Sequence, residues 1–430
     1  MSAWRAVVGL WLGASAYACS LANDRRPCDD VPTAESQVNE RVDHDELLGG
    51  PHAATFVDDT HLFTAFVAQD IEDGALKNIE LRYALVNRAT GNALPCNRAA
   101  LDCQVGDAGN LPRSAAMASA PLSIEGSRAA ALLVWVEGGL TGKSYARMRF
   151  LDAAGNPLGA AGAFDPFGTP IRAIDTVWSE VAQKIVIVAH DQHDIWLSMI
   201  DAPVKAELSK LASATTISAG IVDVPSVAVA GNGSLLVTWF DGARGYQVLA
   251  LDPQGKPRGN ARDAGPPGSV LTNRQGAPSA IAVASDRFAV VGSSSPAEAA
   301  AGRVFFQEFS LDGEPMGVAR TVDPEDAGHQ TQPNAVYLPN DTLLVTWHSA
   351  TKHGVVGRFF KSDGTPRFCS LGCGESAFDV GARVSGDAAE SSRPLLNGGD
   401  VWIVHDGQDG HGEGVHLLRA RFASLYPAKP

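Results

Sequence analysis

Two stretches of the chain share one pattern: Pro225–Gly259 reads PSVAVAGNGSLLVTWFDGARGYQVLALDPQGKPRG, and Pro333–Arg367 reads PNAVYLPNDTLLVTWHSATKHGVVGRFFKSDGTPR. Each begins with Pro and a short alternating segment, then passes through a turn to LLVTW, a polar loop, another apolar segment and an Asp/Gly turn before Pro. β-Branched and aromatic residues without a helical stripe indicate strands, and Asn, Gly and Pro indicate the turns between them. The pattern therefore predicts a unit with three clear strands.

Five degenerate copies of this pattern bring the number of units to seven. After a longer first interval, the position that follows the buried apolar segment recurs about every 50 to 60 residues, at Phe66, Trp135, His190, Trp239, Gly292, Trp347 and His405. A period of this length with several short strands per unit is typical of propeller blades, whereas helical repeats are shorter. The long first interval contains the Cys96–Cys103 loop, which we interpret as an insertion.

With these repeats, residues 37–425 resemble a seven-bladed β-propeller of the secreted bacterial, lipoprotein-like type. The resemblance implies an all-β fold with four-stranded antiparallel blades, and a single domain over residues 37–430. The last copy ends at its third long strand, so we expect segment 37–43 to supply the fourth strand and close the ring. The resemblance is architectural and matches no specific enzyme family, and fold alone does not fix function.

Length and charge exclude several other classes of protein. A chain of 430 residues is too long for one ordinary compact core, which stops growing near about 250–300 residues. The net charge of −14, from 48 acidic and 34 basic residues, argues against nucleic acid and anionic lipid as electrostatic partners. Any binding is therefore expected to depend on shape and hydrogen bonds.

The N-terminus carries the features of an export signal. Residues 1–18 contain one cation, Arg5, an apolar stretch too short to span a bilayer, and small residues at the end. The sequence before Cys19 fits an ordinary signal-peptidase site and also resembles a bacterial lipobox, in which Cys19 would be lipidated. We therefore expect a signal peptide over 1–18 and a polar tether over 19–36. The predicted location is an outer-membrane, cell-surface or periplasmic lipoprotein, or alternatively a secreted protein.

The six cysteines are consistent with an oxidising compartment. Two local disulfides are predicted, Cys96–Cys103 and Cys369–Cys373, although the second ring is tight. If Cys19 is lipidated, Cys28 is left unpaired. If Cys19 is not lipidated, Cys28 is its natural disulfide partner. No zinc motif is present at these cysteines, so neither a metal nor a cofactor is predicted.

Polar residues cluster in the loops that follow the buried strands. Because equivalent loops of a propeller emerge on one face, these residues form a candidate binding site. At this face, His and carboxylate side chains could also exchange protons or bind a metal, although their spacing matches no standard motif. The candidate binding residues are Asp191, His193, Asp194, Asp241, His348, Asp406 and His411.

Three functions remain open. The leading hypothesis is an exported cell-envelope module that binds a protein or a glycan, or acts as a scaffold. The alternative is a polysaccharide hydrolase or lyase with a carboxylate/His site at the central channel, which for hydrolysis needs two carboxyl groups about 5–10 Å apart. A third possibility is an envelope assembly component with an exposed apolar patch. The recurrent Trp side chains are expected to pack between blades, and a ring of exposed Trp for sugar stacking is the alternative.

Overall fold

The computed structural model confirms an all-β, seven-bladed propeller. It describes residues 34–37, 45–48, 53–72, 75–95, 102–105, 111–124, 126–138, 144–159, 167, 170–191, 193–201, 205–213, 223–267, 277–278, 280–294, 301–366, 377–380, 391–397, 400–408 and 413–421. The predicted signal peptide, Cys19, Cys28, Cys96, Cys369, Cys373 and His411 lie outside these residues, and only the backbone of Cys103 is described.

Each blade is an antiparallel sheet with an inner, a second, a third and an outer strand. In blade 1 the inner strand is divided into Asp45–Leu48 and Ala54–Phe56, followed by His61–Glu72 and Ala75–Asn87, and the outer strand is divided into Ala93–Leu94 and Asp102–Gln104. The predicted insertion, Cys96–Cys103, begins after the first part of this outer strand, and its last two residues, Asp102 and Cys103, belong to the second part.

Blades 2 to 4 are continuous in sequence. Their strands, from inner to outer, are Leu111–Ser119, Ala131–Gly138, Ser144–Leu151 and Pro157–Leu158 in blade 2; Ala173–Ser179, Lys184–His190, Asp194–Asp201 and Lys205–Ser213 in blade 3; and Ser226–Val229, Leu235–Asp241, Gly245–Leu251 and Arg262–Asp263 in blade 4. Blade 2 also contains a small hairpin, Ser123–Ile124 with Ser127–Arg128.

Blades 5 to 7 follow the same order. Their strands are Ala280–Val283, Arg287–Ser294, Arg303–Ser310 and Arg320–Thr321 in blade 5; Gln330–Leu338, Thr342–Ser349, Gly354–Phe360 and Phe378–Asp379 in blade 6; and Ser392–Asn397, Asp400–Gln408, Glu413–Arg421 and Ala34–Gln37 in blade 7. A 3-10 turn, Pro339–Asp341, joins two strands of blade 6. Within the described ranges, no helix is long and apolar enough to span a membrane.

The ring closes through the N-terminal strand, as the sequence predicts. Ala34–Gln37 pairs antiparallel with Glu413–Arg421, with Ala34 opposite Arg419 and Gln37 opposite His416. The strand lies earlier than the expected segment 37–43 and shares only Gln37 with it, because its position is set by pairing with blade 7. The inner strands of successive blades also contact one another around the ring, including those of blades 7 and 1.

The hydrophobic core is divided among the interfaces between blades. For example, Val237 and Trp239 of blade 4 pack with Val186 and Val188 of blade 3 in one cluster. Trp135, Trp239 and Trp347 have only 2%, 1% and 0% of their surface exposed, which confirms that the recurrent Trp side chains pack between blades.

In blades 2, 4, 5 and 6 the turn after the third strand contacts the preceding blade. Gly313 of blade 5 has φ +79°, and a Cβ at this position would lie 2.8 Å from Ala250 Cβ of blade 4. Gly255 of blade 4 has φ +79° and approaches Leu197 and Met199 of blade 3 in the same way. Glycine is required in these turns because the backbone is left-handed and the neighbouring blade leaves no room for a side chain.

Antiparallel pairing gives the disc two distinct faces. Second strands end, and inner strands begin, on the face that we call the loop face, as the pairing of Ser226 with Thr238 and of Val229 with Leu235 shows for blade 4. The connections from inner to second strand and from third to outer strand lie on the opposite side, which we call the turn face. On the loop face, Asp223–Val224 and Ala277–Pro278 pair in parallel just before the inner strands of blades 4 and 5.

Candidate functional site

The predicted residues of blade 3 share one loop on the loop face. Asp191 Oδ1 accepts hydrogen bonds from the backbone N of His193 at 3.0 Å and of Asp194 at 2.8 Å, and its Oδ2 accepts one from Trp196 Nε1 at 2.7 Å. Asp194 forms an ion pair of 2.7 Å with Lys210 Nζ, and His193 is exposed. The carboxylate of Asp191 therefore fixes the shape of this loop.

Asp241 has a comparable role in blade 4. Its Oδ1 accepts hydrogen bonds from the backbone N of Ala243 at 2.8 Å and of Arg244 at 3.2 Å. Asp has this capping ability because its short side chain can reach the backbone two and three residues ahead. The carboxylate of Asp241, which is 6% exposed, holds the tight connection between the second and third strands.

Asp406 connects two strands of blade 7. Its Oδ2 accepts a hydrogen bond of 3.0 Å from Ser391 N, and its own backbone N donates to Ser391 O at 3.2 Å. The adjacent His405 is fully buried, and its ring is stacked on that of His416 with the centroids 5.6 Å apart. Asp406 therefore anchors the start of the inner strand to the end of the second strand.

The six predicted residues that the structure describes are spread over four blades. His348 of blade 6 is 6% exposed, and its Nδ1 lies 3.5 Å from Thr331 Oγ1. Asp191, His193 and Asp194 are brought together in blade 3, whereas Asp241, His348 and Asp406 lie in blades 4, 6 and 7. The contacts described for these residues each join parts of one blade, so their most visible role is to stabilise loops.

A polar cluster that sequence reasoning missed lies on the inner strands around the central axis. Asp175 of blade 3 accepts hydrogen bonds from Val227 N of blade 4 at 2.8 Å and from Thr176 N at 2.7 Å. Arg393 of blade 7 donates to Asn334 Oδ1 of blade 6 at 3.4 Å. Burial lowers the pKa of Arg393, and the charge of Asp175 partly offsets this effect. The hydrogen bonds of this cluster thus join blade 3 to blade 4 and blade 6 to blade 7.

The loop face also has a cleft between blades 5 and 6 that the sequence did not single out. It has a volume of about 380 Å³ and is lined by Asp323, Glu325, Asp326, Ala327, Thr351 and Lys352. These residues come from the connection into the inner strand of blade 6 and from the loop after its second strand. The polar run from Asp323 to Gln330, just before an inner strand, was the available sequence signal.

Asp326 holds the two walls of this cleft together. Its Oδ2 accepts a hydrogen bond of 2.5 Å from Ser349 Oγ, and its Oδ1 accepts bonds from Thr351 Oγ1 and from Gly328 N. Burial opposes ionisation, but these hydrogen bonds outweigh it and lower the pKa of the Asp326 carboxyl group. The carboxylate is therefore ionised near neutral pH and committed to the loop structure.

The remaining cleft residues differ in how far they reach solvent. Asp323 is buried beside Arg358, with the Oδ1–Nη1 distance at 3.4 Å. Glu325, Ala327 and Thr351 are exposed, and the half-buried Lys352 donates to Ala377 O at 3.3 Å. The accessible lining thus combines a carboxylate, a hydroxyl group and an ammonium group.

Over the described ranges, no group of three or more His, Cys, Asp or Glu side chains is arranged to hold a metal ion.

Comparisons with known proteins find similarity of structure and none of sequence. No protein-family model matches the chain, and no curated protein sequence matches it. The Penicillium chrysogenum alpha-L-arabinanase in complex with arabinobiose is 12% identical, with 72% of this chain and 93% of that chain covered and a TM-score of 0.45.

Two further solved structures are similarly distant. A polysaccharide lyase is 11% identical, with 87% of this chain and 91% of that chain covered and a TM-score of 0.48. A lectin in complex with alpha methyl fucoside is 12% identical, with 76% and 95% covered and a TM-score of 0.40. At this distance the similarities assign no ligand and no reaction to the chain.

Proposed function

We propose that this protein is an exported cell-envelope binding module that holds a glycan on its loop face, in the cleft between blades 5 and 6. In this proposal residues 1–18 direct export and Cys19 carries the lipid anchor, which is the only contact with the membrane. The observation that carries the proposal is the cleft itself, a polar depression with walls fixed by Asp326.

The rigidity of the loop face supports binding. The carboxylates of Asp191, Asp241, Asp326 and Asp406 each accept hydrogen bonds from backbone or hydroxyl groups on the loop face. A binding surface that is already ordered loses less conformational entropy when a ligand binds. These residues would therefore act indirectly, by keeping the surface in one shape.

The size and chemistry of the cleft suit a hydroxyl-rich ligand. Its volume of about 380 Å³ falls within the roughly 300–1,000 Å³ typical of small-ligand sites. Glu325 can accept hydrogen bonds from hydroxyl groups, Thr351 Oγ1 can accept one while its own proton is donated to Asp326, and Lys352 can donate them. A sugar offers many such groups and no net charge, which fits the scarcity of cations in the chain.

The carboxyl groups with shifted pKa values do not fit the role of a general acid. In the described part of the chain these groups are Asp58, Asp326 and Asp363, and all three pKa values are lowered. Burial opposes the shift at Asp58 and Asp326 and hydrogen bonds outweigh it, while at Asp363 the hydrogen bonds from Thr365 dominate. A general acid for glycoside cleavage needs a raised pKa instead, so none of these three carboxyl groups is suited to that role.

The test is a glycan array with the full chain, followed by affinity measurement on the best ligand. Ala327 is exposed in the cleft, so Ala327→Trp should obstruct it and weaken binding at least tenfold. Ala154, exposed in a turn of blade 2 on the turn face, provides the matched control Ala154→Trp, which should bind like the wild type. Unchanged affinity of Ala327→Trp would reject the cleft, and release of shortened oligosaccharides would favour the hydrolase or lyase alternative.

A further inference from the structure

Both ends of the described fold lie at the turn face of blade 7. The third strand, Glu413–Arg421, begins after a loop-face connection and therefore ends at the turn face. Ala34–Gln37 runs antiparallel to it, with Ala34 opposite Arg419 and Gln37 opposite His416. The chain therefore enters the disc from the turn face before residue 34 and leaves it at the same face after residue 421.

We infer that the protein is held by its turn face, so that the loop face and its cleft are presented away from the anchoring membrane. This inference rests on the proposed anchor and on the proposed use of the loop face. It adds the direction from which a ligand arrives, which neither of those proposals specifies. The partner it fits is a glycan that lies outward from the membrane to which the protein is attached.

The length of the connection gives this orientation its physical basis. Residues 20–33 separate Cys19 from the closing strand. A chain of this length spans at most about 50 Å when fully extended, and about 20 Å on average when flexible. A strand such as Thr342–Ser349 crosses the disc over about 26 Å at roughly 3.3 Å per residue. Contact of the loop face with the membrane would therefore require the connection to stretch along the side of the disc.

The exposed apolar side chains are distributed consistently with this orientation. In the described ranges the large apolar residues with the most exposure are Val318 at 80%, Val181 at 52%, Met316 at 50% and Tyr145 at 37%. Val181 lies between the inner and second strands of blade 3, and Met316 and Val318 lie between the third and outer strands of blade 5. These three belong to turn-face connections, and apolar groups are better tolerated beside a membrane surface than in water.

The test measures energy transfer from each face to a membrane. His353 and Ser362 are exposed positions just beyond the two ends of the third strand of blade 6, His353 on the loop face and Ser362 on the turn face. A clickable amino acid at position 353 or 362 of the full chain carries the donor dye, and vesicles of phosphatidylcholine carry acceptor-labelled lipid. Transfer from position 362 should be at least twice as efficient as from position 353, and equal or reversed efficiencies would overturn the inference.

A second attachment separates failure of the anchor from failure of the orientation. Cys19→Ser with a hexahistidine tag directly before residue 19 binds vesicles that contain nickel-chelating lipid, whether or not the natural chain is lipidated. The same preference for position 362 is expected with this attachment, and its absence would overturn the inference. Loss of natural membrane partitioning in untagged Cys19→Ser tests the anchor, and glycan affinity in solution tests the binding proposal, each independently of the dye result.

Discussion

The interfaces on the two sides of blade 5 are filled by aromatic residues from different positions of the repeat. Between blades 5 and 6, Trp347 of blade 6 is fully buried against small and branched residues of blade 5 such as Ala289 and Val291. Between blades 4 and 5, the corresponding position of blade 5 is Gly292, and its space is occupied by Tyr246 of blade 4 and Phe305 of blade 5. A Cβ at Gly292 would lie 2.8 Å from Tyr246 Cζ and 2.9 Å from Phe305 Cε1.

This difference shows that the interface, rather than the single repeat, is the unit whose volume is maintained. Tyr246 enters from the neighbouring blade, and its hydroxyl group donates to Ser293 O at 3.0 Å and accepts from Ser293 N at 3.1 Å. The rings of Tyr246 and Phe305 pack edge to face with centroids 5.3 Å apart. A missing Trp in one repeat is thus offset by an aromatic residue in the repeat before it, as close packing requires.

The largest effect should come from Trp347→Ala, which removes the ring that fills the interface between blades 5 and 6. Loss of a buried Trp should lower the free energy of unfolding by about 3–5 kcal/mol, measured by urea denaturation. Trp178 is only half-buried, in a strand that leads to a turn-face hairpin, and Trp178→Ala should cost less than about 1 kcal/mol. Equal costs for the two substitutions would show that Trp347 does not support its interface.

A smaller effect is expected from Gly292→Ala, because the added methyl group meets two rings that cannot easily move. Overpacking should lower the free energy of unfolding by about 1–3 kcal/mol. A Cβ added at Gly231 would meet no atom within 4 Å, so Gly231→Ala is the control and should change stability little. Phe305→Leu should partly restore the stability of Gly292→Ala, and failure to do so would argue that the strain lies elsewhere.

The smallest effect is expected from Tyr246→Phe, which keeps the ring and removes its two hydrogen bonds to Ser293. Loss of these bonds should lower the free energy of unfolding by about 1–2 kcal/mol, seen as a lower thermal midpoint. Tyr145→Phe, at an exposed ring of blade 2, is the matched control and should leave the midpoint unchanged. A midpoint equal to that of the wild type would mean that ring volume alone maintains this interface.

Most of the fold could be predicted because the residues that form the strands and turns of a blade are close together in each repeat. The seven recurrent positions, the blade count and closure by the N-terminus all follow from such patterns. Tyr246 could not be identified as the partner of Gly292, because their proximity depends on how two blades pack. The closing strand was placed too late because residues on both sides of Gln37 are polar, and only pairing with blade 7 fixes the register.

The candidate site was less predictable because the sequence does not distinguish an Asp or Glu that binds a ligand from one that stabilises a loop. The sequence places Asp241 in the loop after the second strand, whereas it is the last residue of that strand, and its hydrogen bonds to Ala243 and Arg244 depend on the conformation of the loop. Asp326 was missed because it lies before an inner strand, whereas the repeat pattern draws attention to the loops that follow second strands. Distinguishing a capping carboxylate from a binding one requires the three-dimensional position of its donors.

Blade 7 combines an N-terminal strand with three C-terminal strands, and this affects the order in which the blades can form. Synthesis delivers Ala34–Gln37 before blade 1 and its partner Glu413–Arg421 only after blade 6. Blades 2 to 6 can each pair their own strands as they emerge, since domains and their parts fold progressively during synthesis. The first strand, by contrast, must wait with unpaired backbone groups until the third strand of blade 7 has been made. The ring can therefore close only after blade 7 has been made, because a chain that stops earlier leaves Ala34–Gln37 without its partner strand.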